Sequence, residues 1–432
     1  MKKLLIFYLI TAFSMPVMAY TSSNFLISQL AYKNHDYETS LFDFNIDTAK
    51  YPNNDLLDKL IASVILENLE FANNISDNIL KFEKDNQEAY LVKLVNLLLD
   101  NKSNEIKKLY SDTKTKNDLI DFIFFNDDLL KDNQTISKSI IDIVTSSFSN
   151  SDGYSLNYSF LLFYTSLARM IDTSNDRATL IKGELFQKIG NDKDARLMFK
   201  EINQDSDFYL DAQINLALNY SFYLSYDEAI KNINKLLEKN NNLYPIKKIL
   251  ADTHRIEKNY KLAIQLYNEM IERNENDLWS IYYLRGICFE RLGQWDKAEK
   301  NFLKSLDLKP DSPNVLNYLA YGWVERNIRL DQSLEMLKAA YAANPESSYI
   351  IDSLAWAYFK KNNYTEAAKL MEKVIDIAPG EAISLDHLGD IYYAMNRKRE
   401  AIHFWQQALE LAEPEDEITE DVQSKLDKIN AG

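Results

Sequence analysis

The sequence predicts an all-α protein, an α-solenoid of stacked helix-turn-helix repeats, and three observations carry that prediction. Glycine and proline are scarce, 9 and 8 among 432 residues, which leaves little turn punctuation for parallel-sheet or barrel folds. Small residues recur at Ala195, Ala229, Ala263, Ala298, Ser333, Ala367 and Ala401, spaced by 34 or 35 residues throughout. Four positions after each stands a bulky apolar residue: Phe199, Ile233, Tyr267, Phe302, Leu337, Met371 and Trp405. A spacing of four keeps both members on one helical face, so every unit repeats the same small and large pair.

Taken in chain order, the first element is a leader. "MKK" is basic, "LLIFYLITAF" is apolar, and Val17 and Ala19 put small residues at −3 and −1 of a cleavage site. Residues 1–19 are therefore expected to be a signal peptide removed after Ala19, which directs the chain out of the cytoplasm. The competing reading is an uncleaved membrane anchor, for which the apolar run is short. A lipid-modified leader needs a cysteine at the cleavage point, and the sole cysteine is Cys288. That count also leaves no intramolecular disulfide, so stability must come from packing.

Residues 20–150 read as divergent helical repeats, with "DYETS" around Ser40 and Pro52 as a degenerate unit. No register survives between about 55 and 175. "SSFSNSDGYS" (146–155) reads as a loop, and 151–175 as a connecting helical segment. Seven regular units then occupy 176–412. Each has a first helix that ends in a small residue and a large ring, twelve and nine positions before the anchor. The pairs are Gly183 and Phe186, Ala217 and Tyr220, Ala251 and His254, Gly286 and Phe289, Ala355 and Tyr358, and Gly389 and Tyr392. Ala320 and Trp323 join the set if one residue is inserted in "ERNIRLDQS". Pro310, Pro345 and Pro379 follow the second helices, where a missing N–H is harmless. Residues 413–432 read as an acidic turn and a capping helix, with Thr419 as N-cap and Val422, Leu426 and Ile429 as its apolar stripe.

This grammar resembles the tetratricopeptide repeat (TPR), whose W-x2-L-G-x2-Y…A-x3-F…P pattern carries the same spacings. The resemblance implies a right-handed α-solenoid in which the first helix of each pair lines a concave groove. Three successive groove rows then read Asn317 and Tyr321; Asp352, Trp356 and Phe359; and Asp386, Asp390 and Tyr393. Residues at i, i+4 and i+7 share a face, and the rows align, so a continuous patch of aromatic rings beside carboxylates is expected to hold a partner. Ile351, Ala355 and Tyr358 form a second stripe that belongs to the core. Asp352 and Asp386 would repel a peptide's terminal carboxylate.

Catalytic signals are thin. His35, His254, His387 and His403 show no metal-ligand spacing, and there is no G-x-S-x-G or phosphate-binding glycine loop. Neither metal nor cofactor is expected, and no small-molecule substrate. Cys288 falls beside Phe289 within a repeat helix, where burial suits it better than nucleophilic use. A formal net charge of −16 disfavours nucleic acid and anionic lipid, so membrane contact is expected to be indirect.

Residues 314–412 carry a closer likeness. "LNYLAYGWVERNIRLDQSLEMLKAAY", "YIIDSLAWAYFKKNNYTEAA" and "SLDHLGDIYYAMNRKREAIHFWQQAL" resemble the C-terminal half of bacterial cell-envelope tetratricopeptide adaptors. Some members of that family are outer-membrane lipoproteins that scaffold a carboxyl-terminal processing protease and present its cell-wall hydrolase substrates. The resemblance implies a non-catalytic periplasmic scaffold; this chain departs from it in lacking the lipidated cysteine. The alternatives are a self-associating envelope assembly factor and, for lack of a segment to hold a catalytic domain, more remotely an α-superhelical murein-cleaving enzyme.

Overall fold

The computed structural model describes residues 27–41, 53–112, 118–126, 129–149, 157–240, 243–413 and 418–430. The leader expected over 1–19 and Pro52 of the degenerate unit lie outside them. The described residues are almost wholly helical, and the chain divides into two compact units, Met1–Asn241 and Asn242–Gly432.

The first unit opens with α1 (27–33) and α2 (Tyr37–Ser40), followed by α3 (Asn53–Ile65), α4 (Leu69–Phe82), α5 (Gln87–Leu99), α6 (Ser103–Asp112) and α7 (Asp118–Phe124). A two-residue antiparallel ladder, β1 (Phe125–Asn126) with β2 (Leu129–Leu130), precedes α8 (Asn133–Ser149) and α9 (Tyr158–Ile171). Two regular pairs close the unit: α10 (Asp176–Lys188) with α11 (Asp192–Glu201), and α12 (Tyr209–Tyr223) with α13 (Tyr226–Lys239). The loop expected over 146–155 is corrected at its start, because α8 runs on to Ser149. Thr145, Ser146 and Ser147 bond back to the carbonyls of Ile141 and Ile143 at 2.9–3.0 Å, so their hydroxyls are satisfied within the helix. The remainder, 150–156, lies outside the described residues.

Helix α9 is the hub of this unit, packing against α3, α5, α8 and α10. An ion cluster reaching from the buried Lys182 to the exposed Glu67 and Glu201 ties it to its neighbours. Lys182 of α10 donates to the Ile65 carbonyl at 2.9 Å and to Glu67 at 2.6 Å. Arg169 of α9 bridges Glu67 and Glu201, both at 2.9 Å. Burial lowers the Lys182 ammonium's pKa against the pull of Glu67, so this cluster is sensitive to loss of either partner.

The second unit contains five further pairs. They are α14 (Tyr244–Ile256) with α15 (Tyr260–Glu272), α16 (Leu278–Arg291) with α17 (Trp295–Leu308), α18 (Pro313–Glu325) with α19 (Leu330–Ala343), α20 (Ser348–Lys360) with α21 (Tyr364–Ile377), and α22 (Ala382–Ala394) with α23 (Lys398–Leu411). Helix α24 (Thr419–Asn430) follows and packs on α23. The small anchors and the bulky residues four positions later are buried in every pair.

The turn inside six of the seven regular pairs has one recurrent geometry, α12 and α13 being joined by a two-residue turn instead. A residue with positive φ closes the first helix at Gly190, Lys258, Gly293, Asn327, Asn362 and Asn396. The next N–H then bonds back to the large-ring residue's carbonyl, as Gln294 does to Phe289 at 2.8 Å and Asn363 to Tyr358 at 2.9 Å. This back-bond satisfies a carbonyl that the helix end would otherwise leave open. Between α18 and α19 the turn has four residues where its neighbours have three, and the added residue, Arg329, also takes positive φ. That is the insertion visible in "ERNIRLDQS".

Candidate protein-interaction surface

The eight residues singled out from sequence stand on the first helices α18, α20 and α22, which pack side by side. Adjacent first helices therefore bond across their stripes. Asp352 of α20 accepts from Ser384 Oγ at 2.7 Å and contacts His387 Nδ1 at 3.0 Å, both on α22. The Trp356 ring stacks on His387 at 4.0 Å and on Phe359 at 4.6 Å, nearly parallel to each. Its indole N–H donates to Glu325 of α18, and the Lys360 ammonium lies 4.6 Å over its ring. At the end of the row, Lys425 of α24 binds Asp386 at 2.8 Å, Asp390 at 2.9 Å and Asp421 at 2.9 Å. Trp405 adds an N–H to Asp390 at 3.1 Å.

These contacts correct the picture of one open patch. Asn317, Asp352 and Trp356 are only 5%, 8% and 6% exposed, and Asp386 is buried as well. Asp352 and Trp356 are covered by side chains of the neighbouring first helices, and Asp386 by Lys425 of α24. Tyr321, Phe359 and Asp390 are half-buried, and Tyr393 is 48% exposed. The accessible surface thus consists of ring edges and carboxylate rims above a bonded floor.

Protonation follows the same layout. Burial opposes charge on His387, yet Asp352, with Asp386 and Asp390 behind it, raises its pKa overall. Burial and the Asp390 charge raise Asp386, with Lys425 acting against them. Burial also works against the Lys425 ammonium, but its carboxylates outweigh that and hold the proton more firmly than usual. Elsewhere, burial pushes the Cys288 thiol up to about 12, which disfavours a reactive thiolate.

Residue-by-residue reading missed Ser384, His387, Glu325 and Lys425. A signal for the first three existed, because bonded partners on adjacent first helices are separated by 31 to 35 positions, close to one repeat.

A helix-pair array with this spacing is of the tetratricopeptide class, and comparison with known proteins agrees. Family models described as tetratricopeptide repeat match residues 279–312, 326–382 and 382–413, so the chain carries these repeats. A TPR repeat-containing protein of Pseudomonas aeruginosa is 24% identical over 166 residues, which is 38% of this chain and 28% of that protein. The BBSome complex member BBS4 of Bos taurus is 28% identical over 121 residues, 28% of this chain and 22% of that protein. The chain thus spans about a quarter of the length of these curated relatives. Among solved structures, a tetratricopeptide repeat protein from Parabacteroides merdae is 19% identical over 58% of this chain and 97% of its own, with a TM-score of 0.44.

Proposed function

We propose that this chain is an exported, non-catalytic scaffold of the cell envelope that holds a protein partner along the first helices of its repeats. The carrying observation is the line of accessible side chains on α18, α20 and α22, namely Tyr321, Glu325, Phe359, Asp390 and Tyr393; α20 and α22 lie within matched tetratricopeptide repeats, and α18 lies between two of them. Their supporting floor is bonded from helix to helix, so the rim residues are held in fixed positions before any partner arrives. Such pre-organisation favours binding because little ordering remains to be done. The leader pattern supports a periplasmic location. The likeness over 314–412 supports a carboxyl-terminal processing protease, with its substrates, as the partner class.

Affinity capture tests this reading. The chain beginning at Tyr20 is immobilised and exposed to bacterial envelope extract, beside a variant carrying Tyr321→Ala and Tyr393→Ala. A protease retained by the first and lost by the second supports the reading. Equal retention by both would move the contact away from these helices, and no retained protein would remove the scaffold role. Amino-terminal sequencing of periplasmic material tests the leader: a start at Tyr20 is expected, and an intact Met1 would refute cleavage. Incubation with purified murein should release no soluble fragments.

A further inference from the structure

The row of first helices ends at acceptors that each repeat leaves to be filled by the next helix along. Asp386 stands one 34-residue repeat after Asp352, and Asp390 one repeat after Trp356. Asp352 is met by Ser384 and His387 of the next first helix. Asp386 is met instead by Lys425 of α24, which packs on α23 as α22 packs on α21. The Lys425 ammonium bridges Asp386 and Asp390 and lies 5.9 Å over the Trp405 ring, whose N–H also holds Asp390. Two fixed carboxylates beside an indole face make an ammonium site, and the structure shows it filled in cis.

Helix α24 is thinly attached for an element that fills such a site. Val422 and Leu426 are the buried ones among its described side chains, whereas α22 buries nine of its thirteen. Val422, Lys425 and Leu426 stand at i, i+3 and i+4 and so share one face. Elsewhere the helix is solvated, with Thr419, Glu420, Asp421, Gln423, Asp427 and Lys428 exposed. Its docking thus rests on two apolar side chains and one lysine, a pattern that another amphipathic helix with those groups can reproduce.

We propose that α24 is an exchangeable occupant of the end of the first-helix row, displaced when an amphipathic helix of a protein partner presents a lysine and two apolar residues at the same spacing. This rests on the scaffold reading and names the chemistry of the segment it holds. With α24 docked, the row open to a partner stops short of Asp386. With a partner helix in its place, the contact continues over Asp386 and Asp390. A tethered helix competes at high effective concentration, so a partner displaces it by adding contacts along the rim.

The probe is a fluorescein-labelled peptide of residues 418–430, followed by anisotropy with the full chain; the same peptide carrying Lys425→Glu is the comparison. Lys425→Glu in the chain weakens the hold of its own α24, and adding Asp386→Asn and Asp390→Asn removes the site. Circular dichroism checks that each chain is folded. The labelled peptide is expected to bind the Lys425→Glu chain at least tenfold more tightly than the parent. That binding should be lost with the substituted peptide and with the triple variant. Equal binding to parent and Lys425→Glu chain, no binding to either, or undiminished binding of the substituted peptide overturns exchange. Should Lys425→Glu disrupt the last pair, hydrogen exchange on the parent decides. Its α24 amides are expected to exchange at least tenfold faster than those of α22 and α23; equal protection would mean that α24 opens only with the whole unit, and the proposal falls. Light scattering of the parent is expected to give a monomer, whereas a dimer would make the occupant another copy's α24 and overturn the partner assignment. If envelope capture retains a protease but the peptide does not exchange, this inference falls while the scaffold stands. If the peptide behaves as stated but nothing is captured, the scaffold reading falls and the exchange site remains.

Discussion

Gly389 shows what a single position contributes. A Cβ built there would lie 2.4 Å from the Trp405 indole, and at Gly286 the same addition would meet Phe302 at 2.6 Å. Both rings are buried, so they cannot swing into solvent. Gly389→Ala is therefore expected to cost about 1–3 kcal/mol by overpacking, read as a lower urea midpoint at unchanged slope. The pairing was legible in the sequence, because small and large residues recur twelve before and four after each anchor. The environment of Trp356 was not. Its phase on α20 is readable, but the residues that cover it, His387 and Glu325, belong to neighbouring pairs and depend on how far one helix slides along the next. With 6% exposure, Trp356→Ala should cost about 3–5 kcal/mol. Asp352→Lys would bury an ammonium opposite His387 and should add to the loss. A thermal melt of the double variant matching the parent would show that these side chains are not structural.

At the scale of elements, the first helices of the last pairs and α24 are joined by charge. Helix α24 was legible as a cap, since its acids gather at the start and Val422 and Leu426 form one stripe, and both side chains are buried against the last pairs. Lys425, which binds Asp386 and Asp390, gave no comparable signal, being one lysine among many in a polar helix. The charges facing His387 are Asp352 of α20 and Asp386 and Asp390 of its own helix, with Lys425 across from the last two. A histidine whose folded pKa is raised contributes stability that is complete below about 6.5, its unfolded value, and is lost as pH climbs through the folded value. Asp386, also raised, works in the same direction at lower pH. Chemical denaturation between pH 6 and 9 should thus show the C-terminal pairs weakening as pH rises. His387→Gln should lose most of that slope while keeping a donor for Asp352. A slope unchanged by the substitution would place the pH dependence elsewhere.

Over the whole molecule, legibility divides at about residue 175, inside the first unit, for a topological reason. In the second unit each helix meets mainly the next one or two, so a fixed sequence offset links contacting residues and the period appears in the chain. In the first unit, ahead of its two regular pairs, α9 packs against α3, α5 and α8 as well as α10, contacts that share no common offset, and no register emerges before about residue 176. The same contrast bears on stability. Four apolar clusters among the described residues, around Tyr267, Phe302, Leu337 and Met371, lie wholly within residues 243–430. Each is filled by the repeat's own anchors and rings, so this unit has the core of an independently folding body. A fragment of residues 243–432 is expected to be helical by circular dichroism and to unfold cooperatively in urea. Gly389→Ala should lower its midpoint as it does in the full chain, because the strained contact with Trp405 is internal to the unit. A fragment that is helical but melts without a cooperative transition would mean that these clusters do not make a self-sufficient core, and the reading of this unit as an independently folding body would be wrong.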